Sequence, residues 1–455
     1  YDIRGVVPMQ WDAKLAREVG VAFVEVLKIR KSDGGAGQIV VGHDMRPTGP
    51  ELVESFIDGV TTSGVDVVNI GLCSTDGLYF ASGHLNLPGA MFTASHNPAE
   101  YNGIKLCRAG AAPVGQDTGL SQIKAMLEAG NIPLGGGSKG TATTSDMLAD
   151  YAAFLRRLVP LEHSRRLSVV IDTGNGMGGY TVPAVLGDRL LAALPLDIDP
   201  LYFELDGTFP NHEANPIEPE NLRDLQRRVV EVGADLGLAF DGDADRCFVV
   251  DERGVTVDPS TLTSMIAVRE LAKSPGATVI HNLITSKAVP EIVAEHGGTP
   301  VRTRVGHSFI KATMAQTGAV FGGEHSGHFY FADFWNADSG MLAAMHALAA
   351  LGETPVGTTM SQLCDRYVRY VPSGEINTRV SDAKQVLAHI KGVAQAMDGV
   401  QIDELDGLTV SGDGWWFNVR PSNTEPLLRL NCEASTEADM VRTRDTVLGM
   451  MRSAG

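Results

Sequence analysis

Four stretches place chemically able residues where the chain is expected to turn. "TASHNPAEYNGIK" (93–105) sets Ser95 beside His96, with Lys105 ten residues further on. It follows the apolar "PGAMF", which should end a strand, so the serine lies at a strand end among groups able to move protons. "DGDADR" (241–246) places Asp241, Asp243 and Asp245 at alternating positions after the apolar "ADLGLAF". In an extended or tightly turned segment the three carboxylates can converge. They then repel one another unless a cation sits between them, and hard oxygen ligands without His or Cys suit Mg²⁺. "GGEHSGH" (322–328) offers Glu324 and Ser326 as binders of hydroxyl groups. "RPSNTEP" (420–426) combines Arg420, two hydroxyls, an Asn amide and tight-turn N–H groups. That set can cradle a phosphate, although alone it reads better as a hydrophilic turn.

Other readings compete with these. Asp241, Asp243 and Asp245 match positions 1, 3 and 5 of an EF-hand, with Glu252 at position 12. Yet position 6, which needs Gly, is Arg246, and the flanks read as strands. His325 and His328 lie three apart and could form a zinc pair, but no Cys and no HExxH helix supports one. "GNGMGG" (174–179) contains GxGxxG after the strand-like "LSVVIDT", with Asp199 twenty residues beyond Gly179. That pattern makes an NAD-dependent oxidoreductase a competitor. It explains none of the other stretches, and a glycine-rich strand-to-helix turn accounts for it. His307 in "VGHSFIK" and Arg4 in "YDIRG" read, taken alone, as a structural histidine and an exposed arginine.

The elements that must position these groups alternate. "QIVVGHD" and "VDVVNIG" read as buried strands around the helix "GPELVESFIDGVTTSG". "LSVVIDT", "LPLDID", "ADLGLAF", "CFVVDERG", "ATVIHNLI", "TPVRTRV" and "AVFGGE" continue the strands, with helices over "NLRDLQRRVVEVG" and near 259–273 and 338–351. Such alternation predicts mostly parallel sheets covered by helices. The end differs: "GEINTRV", "LTVSGDGWWFNV" and "LLRLNCEAS" are strands with a DG turn, followed by a helix over 436–452. The fold expected is three similar mixed-sheet α/β domains and a smaller C-terminal α+β domain. The expected boundaries are 1–140, 141–252, 253–367 and 368–455, with the Gly/Thr/Ser-rich 130–146 as the best linker.

The chain has 455 residues, 44% apolar and 20% charged, which suits a soluble multidomain protein. A net charge of −18 argues against nucleic acid or an anionic membrane as partner, but not against a small anion held by a few converging cations. No apolar run is long enough to span a membrane. The five cysteines have no paired spacing, which predicts reduced thiols and a cytoplasmic setting. The chain opens in mid-motif without Met, so residues upstream are expected and a targeting segment stays open.

Taken in order, "YDIRG", "TASHNP", "NGIK", "DGDADR", "VGHSFIK", "GEHSGH" and "RPSNTEP" resemble the α-D-phosphohexomutase family, in its phosphomannomutase/phosphoglucomutase branch. "TASHNP" with "DGDADR" is the specific part. The resemblance implies four domains around a central cleft, the fourth smaller and mobile. It implies that Ser95 is the serine phosphorylated in the active enzyme. Asp241, Asp243 and Asp245 would hold one Mg²⁺ per chain, completed by a phosphoserine oxygen. His96, Lys105 and Arg246 would flank the reacting phosphate, and Glu324 and Ser326 would contact sugar hydroxyls. Arg420, Ser422, Asn423 and Thr424 would clamp the other phosphate, with Tyr1, Arg4 and His307 joining the ligand shell. The activity implied interconverts mannose 6-phosphate and mannose 1-phosphate, and glucose phosphates too, through a hexose 1,6-bisphosphate that also serves as activator. A monomer or homodimer is expected. Phosphoglucosamine mutase is the nearest alternative; a phosphatase and a non-catalytic sugar-phosphate binder are others.

Overall fold

A computed structural model describes residues 3–133, 138–422 and 427–453. Four sheets follow one another along the chain. The first runs, in spatial order, Ile3–Val6, Tyr101–Cys107, Gly89–Phe92, Gln38–His43, Asp66–Leu72 and Ala142–Thr144. The second runs Thr256–Val257, Cys247–Asp251, Leu236–Phe240, Leu167–Asp172 and Leu196–Leu201. The third runs Ala337–Asp338, Phe329–Phe331, Phe321–Gly323, Thr278–Asn282 and Thr299–Thr303.

These three sheets share one plan. A central strand pairs in parallel with an outer strand on one side and an inner strand on the other. The inner strand then pairs antiparallel with a return strand, which pairs antiparallel with an edge strand. Helices cover the sheets, so the inner strands are apolar on both faces: every residue of Leu236–Phe240 is buried. Three loops therefore occupy the same topological place, between inner and return strand. They hold Ser95, the three aspartates and Glu324 in turn.

The fourth sheet is wholly antiparallel: Val371–Arg379, Leu427–Ala434, Trp415–Pro421, Leu408–Gly412 and Gln401–Asp403. Asp413 and Gly414 form the expected two-residue turn between Leu408–Gly412 and Trp415–Pro421. The final helix is Glu437–Ser453. The architecture is thus three similar mixed-sheet α/β domains and a smaller C-terminal α+β domain around a cleft. One hydrophobic cluster runs through the first three domains, joining Val40, Met91, Tyr151, Val169, Phe240 and Phe321. The fourth domain has its own, around Val386, Phe417, Leu430 and Val447.

The expected linker 130–146 carries the strand Ala142–Thr144, which pairs with Asp66–Leu72 in the first sheet. The second sheet likewise takes in Thr256–Val257. Among the described residues no helix is long and apolar enough to cross a membrane.

Candidate active site

Ser95 lies just past the inner strand of the first sheet, buried to 4% exposure, at φ +50°. This left-handed conformation is strained for a non-glycine residue and needs support. Ser95 N–H donates to Thr93 Oγ1 at 2.9 Å. Arg46, 1% exposed, holds the loop from beneath. Its guanidinium donates to the carbonyls of Ser95 (3.0 Å), Asn97 (2.6 Å), Pro98 (2.7 Å) and Tyr101 (2.8 Å). Asp44 lies 3.3 Å from Arg46 Nε, and the Phe209 ring covers the guanidinium at 5.2 Å.

The aspartate loop meets this one across the first domain boundary. Ser95 Oγ donates to Asp241 Oδ2 at 2.8 Å. Gly242 permits the approach: a Cβ there would fall 2.4 Å from the Ser95 carbonyl oxygen. Ala244 takes φ +60°, and this tight turn gathers the side chains of Asp241, Asp243 and Asp245, whose ligand atoms lie within 4.8 Å of one another. Arg246 Nε donates to Asp241 Oδ2 at 2.9 Å, and its Nη2 reaches Ser95 Oγ at 3.5 Å. Lys105 Nζ bridges Asp243 Oδ2 (2.8 Å) and Asp245 Oδ2 (2.6 Å). His96 Nδ1 is 3.2 Å from Ser95 Oγ. Arg4 donates to Asn97 Oδ1 at 2.6 Å, on the same loop.

These donors test whether a cation fits. Three buried carboxylates face two side-chain cations, Lys105 and Arg246. Asp243 Oδ1 and Asp245 Oδ1 are buried without a hydrogen-bond partner among the described residues. Burial, and then the neighbouring Asp243, pushes the Asp245 carboxyl up to about 7. Burial also raises Asp241, whereas for Asp243 Lys105 and Thr75 overcome burial and hold it well below the usual range. An all-oxygen, charge-deficient cluster with two unpaired oxygens fits a hard divalent cation, and Asp241, Asp243 and Asp245 would hold it. Arg246 at the sixth position and the strand flanks match no EF-hand.

The third loop adds a different surface. Glu324 is 2% exposed, and its carboxylate accepts from Gly306 N–H (3.1 Å), Asn282 Nδ2 (3.4 Å) and Tyr330 OH (2.7 Å). Ser326 Oγ is 2.9 Å from His328 Nδ1. The loop is stitched to the aspartate loop: Arg246 and His328 form an isolated antiparallel bridge, and Cys247 N–H donates to Gly327 O at 3.3 Å. His328 Nε2 lies 3.7 Å from Asp245 Oδ1, and burial lowers the ring to about 4.

No zinc pair forms from the two histidines. His325 Nδ1 stands 4.0 Å from Asp258 Oδ1. His328 instead groups with Asp245 and Asp338, and there Lys311 Nζ, 2.5 Å from Asp338 Oδ1, already supplies a cation.

Of the fourth domain's stretch, residues 420–422 are among those described. Arg420 pairs with Glu375 at 2.8 Å inside that domain, where Arg429 also holds Glu375 at 3.1 Å. Ser422 N–H donates to Leu427 O. Tyr1, Asn423, Thr424 and the side chain of His307 lie outside the described residues.

The glycine-rich turn at 174–179 is a support for the aspartate loop. A Cβ on Gly176 would lie 2.7 Å from the Gly242 carbonyl, and Met177 N–H donates to that carbonyl at 2.8 Å. Asp199 is ion-paired with Arg228 at 2.8 Å. The dinucleotide reading loses its glycine and acidic elements to these structural tasks.

Sequence reasoning passed over Arg46, Thr75 and Asp338. The signal for Arg46 was its place: "GHDMRP" follows a strand's carboxyl end, as the recognised motifs do.

Models of the phosphoglucomutase/phosphomannomutase α/β/α domains I, II and III match residues 1–131, 149–254 and 258–370, and the model of the C-terminal domain matches 375–449. An enzyme described as "Phosphohexose mutases" from Xanthomonas campestris pv. campestris is 39% identical over 447 residues, covering 98% of this chain and 96% of its own. A phosphomannomutase from Salmonella typhimurium is 36% identical over 452 residues, covering 98% and 97%. A crystal structure of a phosphoglucomutase/phosphomannomutase family protein from Burkholderia thailandensis superposes with a TM-score of 0.88 at 31% identity, covering 100% of this chain and 96% of that one. Fold and site define an isomerase of the intramolecular phosphotransferase kind. The chain belongs to the phosphoglucomutase/phosphomannomutase family.

Proposed function

We propose that this chain is a phosphomannomutase that interconverts mannose 6-phosphate and mannose 1-phosphate and also accepts glucose phosphates. The observation that carries the reading is the Ser95 hydroxyl, 2.8 Å from Asp241 in a three-carboxylate cluster and beside Arg246. A free serine hydroxyl is a weak nucleophile, but a serine phosphate is a ready donor. The phosphoryl group leaves Ser95 for the free hydroxyl of the bound hexose monophosphate, giving a hexose 1,6-bisphosphate. The bisphosphate turns over in the cleft, and its other phosphoryl group returns to Ser95. Free hexose 1,6-bisphosphate restores enzyme that has lost its phosphate.

Asp241, Asp243 and Asp245 would hold Mg²⁺, which would supply charge neutralisation to the moving phosphoryl group. Arg246 and Lys105 add fixed positive charge on the same side. His96 takes the sugar hydroxyl's proton as the phosphoryl group leaves and, with Nδ1 3.2 Å from Ser95 Oγ, returns a proton to the serine oxygen. Burial and then Arg246 and Arg4 lower its ring to about 2, so the imidazole is neutral. A phosphoryl dianion on Ser95, beside Nδ1, raises its proton affinity when the proton must be taken. Lys105 is less suited, because its Nζ is already engaged by Asp243 and Asp245. Glu324 and Ser326 receive sugar hydroxyls. Glu324 can do so while keeping its internal donors, since each carboxylate oxygen accepts more than one hydrogen bond. Arg420 and Ser422, with Asn423 and Thr424, hold the phosphate not being transferred, and Tyr1, Arg4 and His307 complete the ligand shell. Five free, buried cysteines favour a reducing, cytoplasmic setting. The acidic chain works as a monomer or homodimer without nucleic acid or membrane.

The test is a turnover assay with mannose 6-phosphate, Mg²⁺ and catalytic hexose 1,6-bisphosphate. Mannose 1-phosphate should accumulate without matching release of inorganic phosphate. Release equal to substrate consumed would mean a phosphatase. Comparing kcat/KM for mannose, glucose and glucosamine phosphates then fixes the sugar.

A further inference from the structure

Asp243 is held from the first domain by two residues. Lys105 belongs to a motif, but Thr75, the first residue of the helix Thr75–Leu85, does not. Thr75 is fully buried, and its hydroxyl donates to Asp243 Oδ2 at 2.6 Å while its N–H donates to the Asp243 carbonyl at 3.0 Å. Its neighbours are fixed. Ser74 caps the helix by accepting from Gly77 N–H, and Asp76 accepts from Tyr151 OH at 2.8 Å and from Ser339 Oγ of the third domain at 2.6 Å. Thr75 is therefore a rigid donor brought across the boundary between the first and second domains.

Its effect on Asp243 is directional. Oδ2 receives Lys105 and Thr75, whereas the buried Oδ1 has no hydrogen-bond partner among the described residues. A half-turn of the carboxylate only exchanges its two equivalent oxygens; what the two donors fix is its plane and the direction of the oxygen left unbonded, in the way outer-shell partners orient metal ligands.

We propose that Thr75 is a positioning residue for the divalent cation, fixing the plane of the Asp243 carboxylate and the direction of the oxygen it offers. This rests on the reading of Asp241, Asp243 and Asp245 as the cation's ligands.

The test is Mn²⁺ binding by the purified full chain, followed by the electron paramagnetic resonance of free Mn²⁺. Wild type should bind one ion. Thr75→Val should bind about 10- to 100-fold more weakly, and Thr75→Ser, which keeps the hydroxyl, within about 3-fold of wild type. Thr75→Ala removes the same hydroxyl without adding a methyl, and serves if Thr75→Val does not fold. Melting of the metal-free variants monitors folding separately, and KM for hexose phosphate at saturating Mg²⁺ should not move. Equal Mn²⁺ affinity in wild type and a folded variant without the hydroxyl overturns the role of Thr75 alone. So does equal weakening in Thr75→Ser, which would make packing the cause. Failure of wild type to bind Mn²⁺ removes the cation reading and this inference together.

Discussion

The loops 241–246 and 324–328 occupy the same place in sister sheets, yet they leave their carboxylates in opposite states. In the first, three aspartates crowd one turn, and Asp243 Oδ1 and Asp245 Oδ1 have no hydrogen-bond partner among the described residues. In the second, the single carboxylate of Glu324 already has Gly306, Asn282 and Tyr330 as donors. One site is short of positive charge, and the other is a satisfied acceptor that can take further hydrogen bonds. The same position in the fold thus leaves bare anionic oxygens in one domain and a fully hydrogen-bonded carboxylate in the next.

The largest effect expected from breaking this contrast is in the aspartate loop. Asp243→Asn keeps the shape but removes a charge that a hard cation needs. Turnover should fall by about 1,000-fold or more at ordinary Mg²⁺, with partial recovery at high Mg²⁺. A Mg²⁺ titration of the rate checks this; an unchanged half-saturation would place the cation elsewhere.

Changes at Glu324 should cost less and act through the sugar. Glu324→Ala should lower kcat/KM by about 10- to 150-fold for mannose and glucose phosphates alike, as expected for loss of a charged hydrogen-bond partner. The Mg²⁺ half-saturation should stay put. A loss confined to one sugar would mean that Glu324 reads C2, where the two sugars differ.

The smallest effect concerns the junction that holds the loops together. Asp76, between Ser74, Tyr151 and Ser339, is pushed up to about 6 by burial, against the pull of its three hydroxyl donors. A carboxyl raised in the folded state gives stability that is full below its unfolded value and is lost as pH rises through the folded one. From pH 5 to 8 the wild type should lose about 1 kcal/mol through this group, and Asp76→Asn should remove that slope. Denaturant melts of both proteins across this range measure it; parallel curves would contradict it.

Much of this was legible in the sequence because local chemistry marks it. Apolar runs ending in polar, glycine-rich turns located the three loops. The helix expected near 259–273 is Pro259–Lys273. The rest depends on contacts that sequence spacing does not encode. Thr75 reaches Asp243 across 168 residues, and Arg46 acts by gathering carbonyls some fifty residues away. Ala142–Thr144 looked like linker because its composition is that of one, and only pairing with Asp66–Leu72 makes it a strand. Composition likewise gave no sign that Gly174–Gly179 serves the aspartate loop.

The central claim is that Ser95 carries the phosphoryl group. Intact mass and peptide mapping of enzyme incubated with hexose 1,6-bisphosphate test it most directly. The account predicts one added phosphate, located on Ser95, that disappears with added hexose monophosphate and is not acquired by Ser95→Ala, which should also lose nearly all mutase activity. A fully active Ser95→Ala enzyme, or a phosphate mapped to another residue, would contradict it.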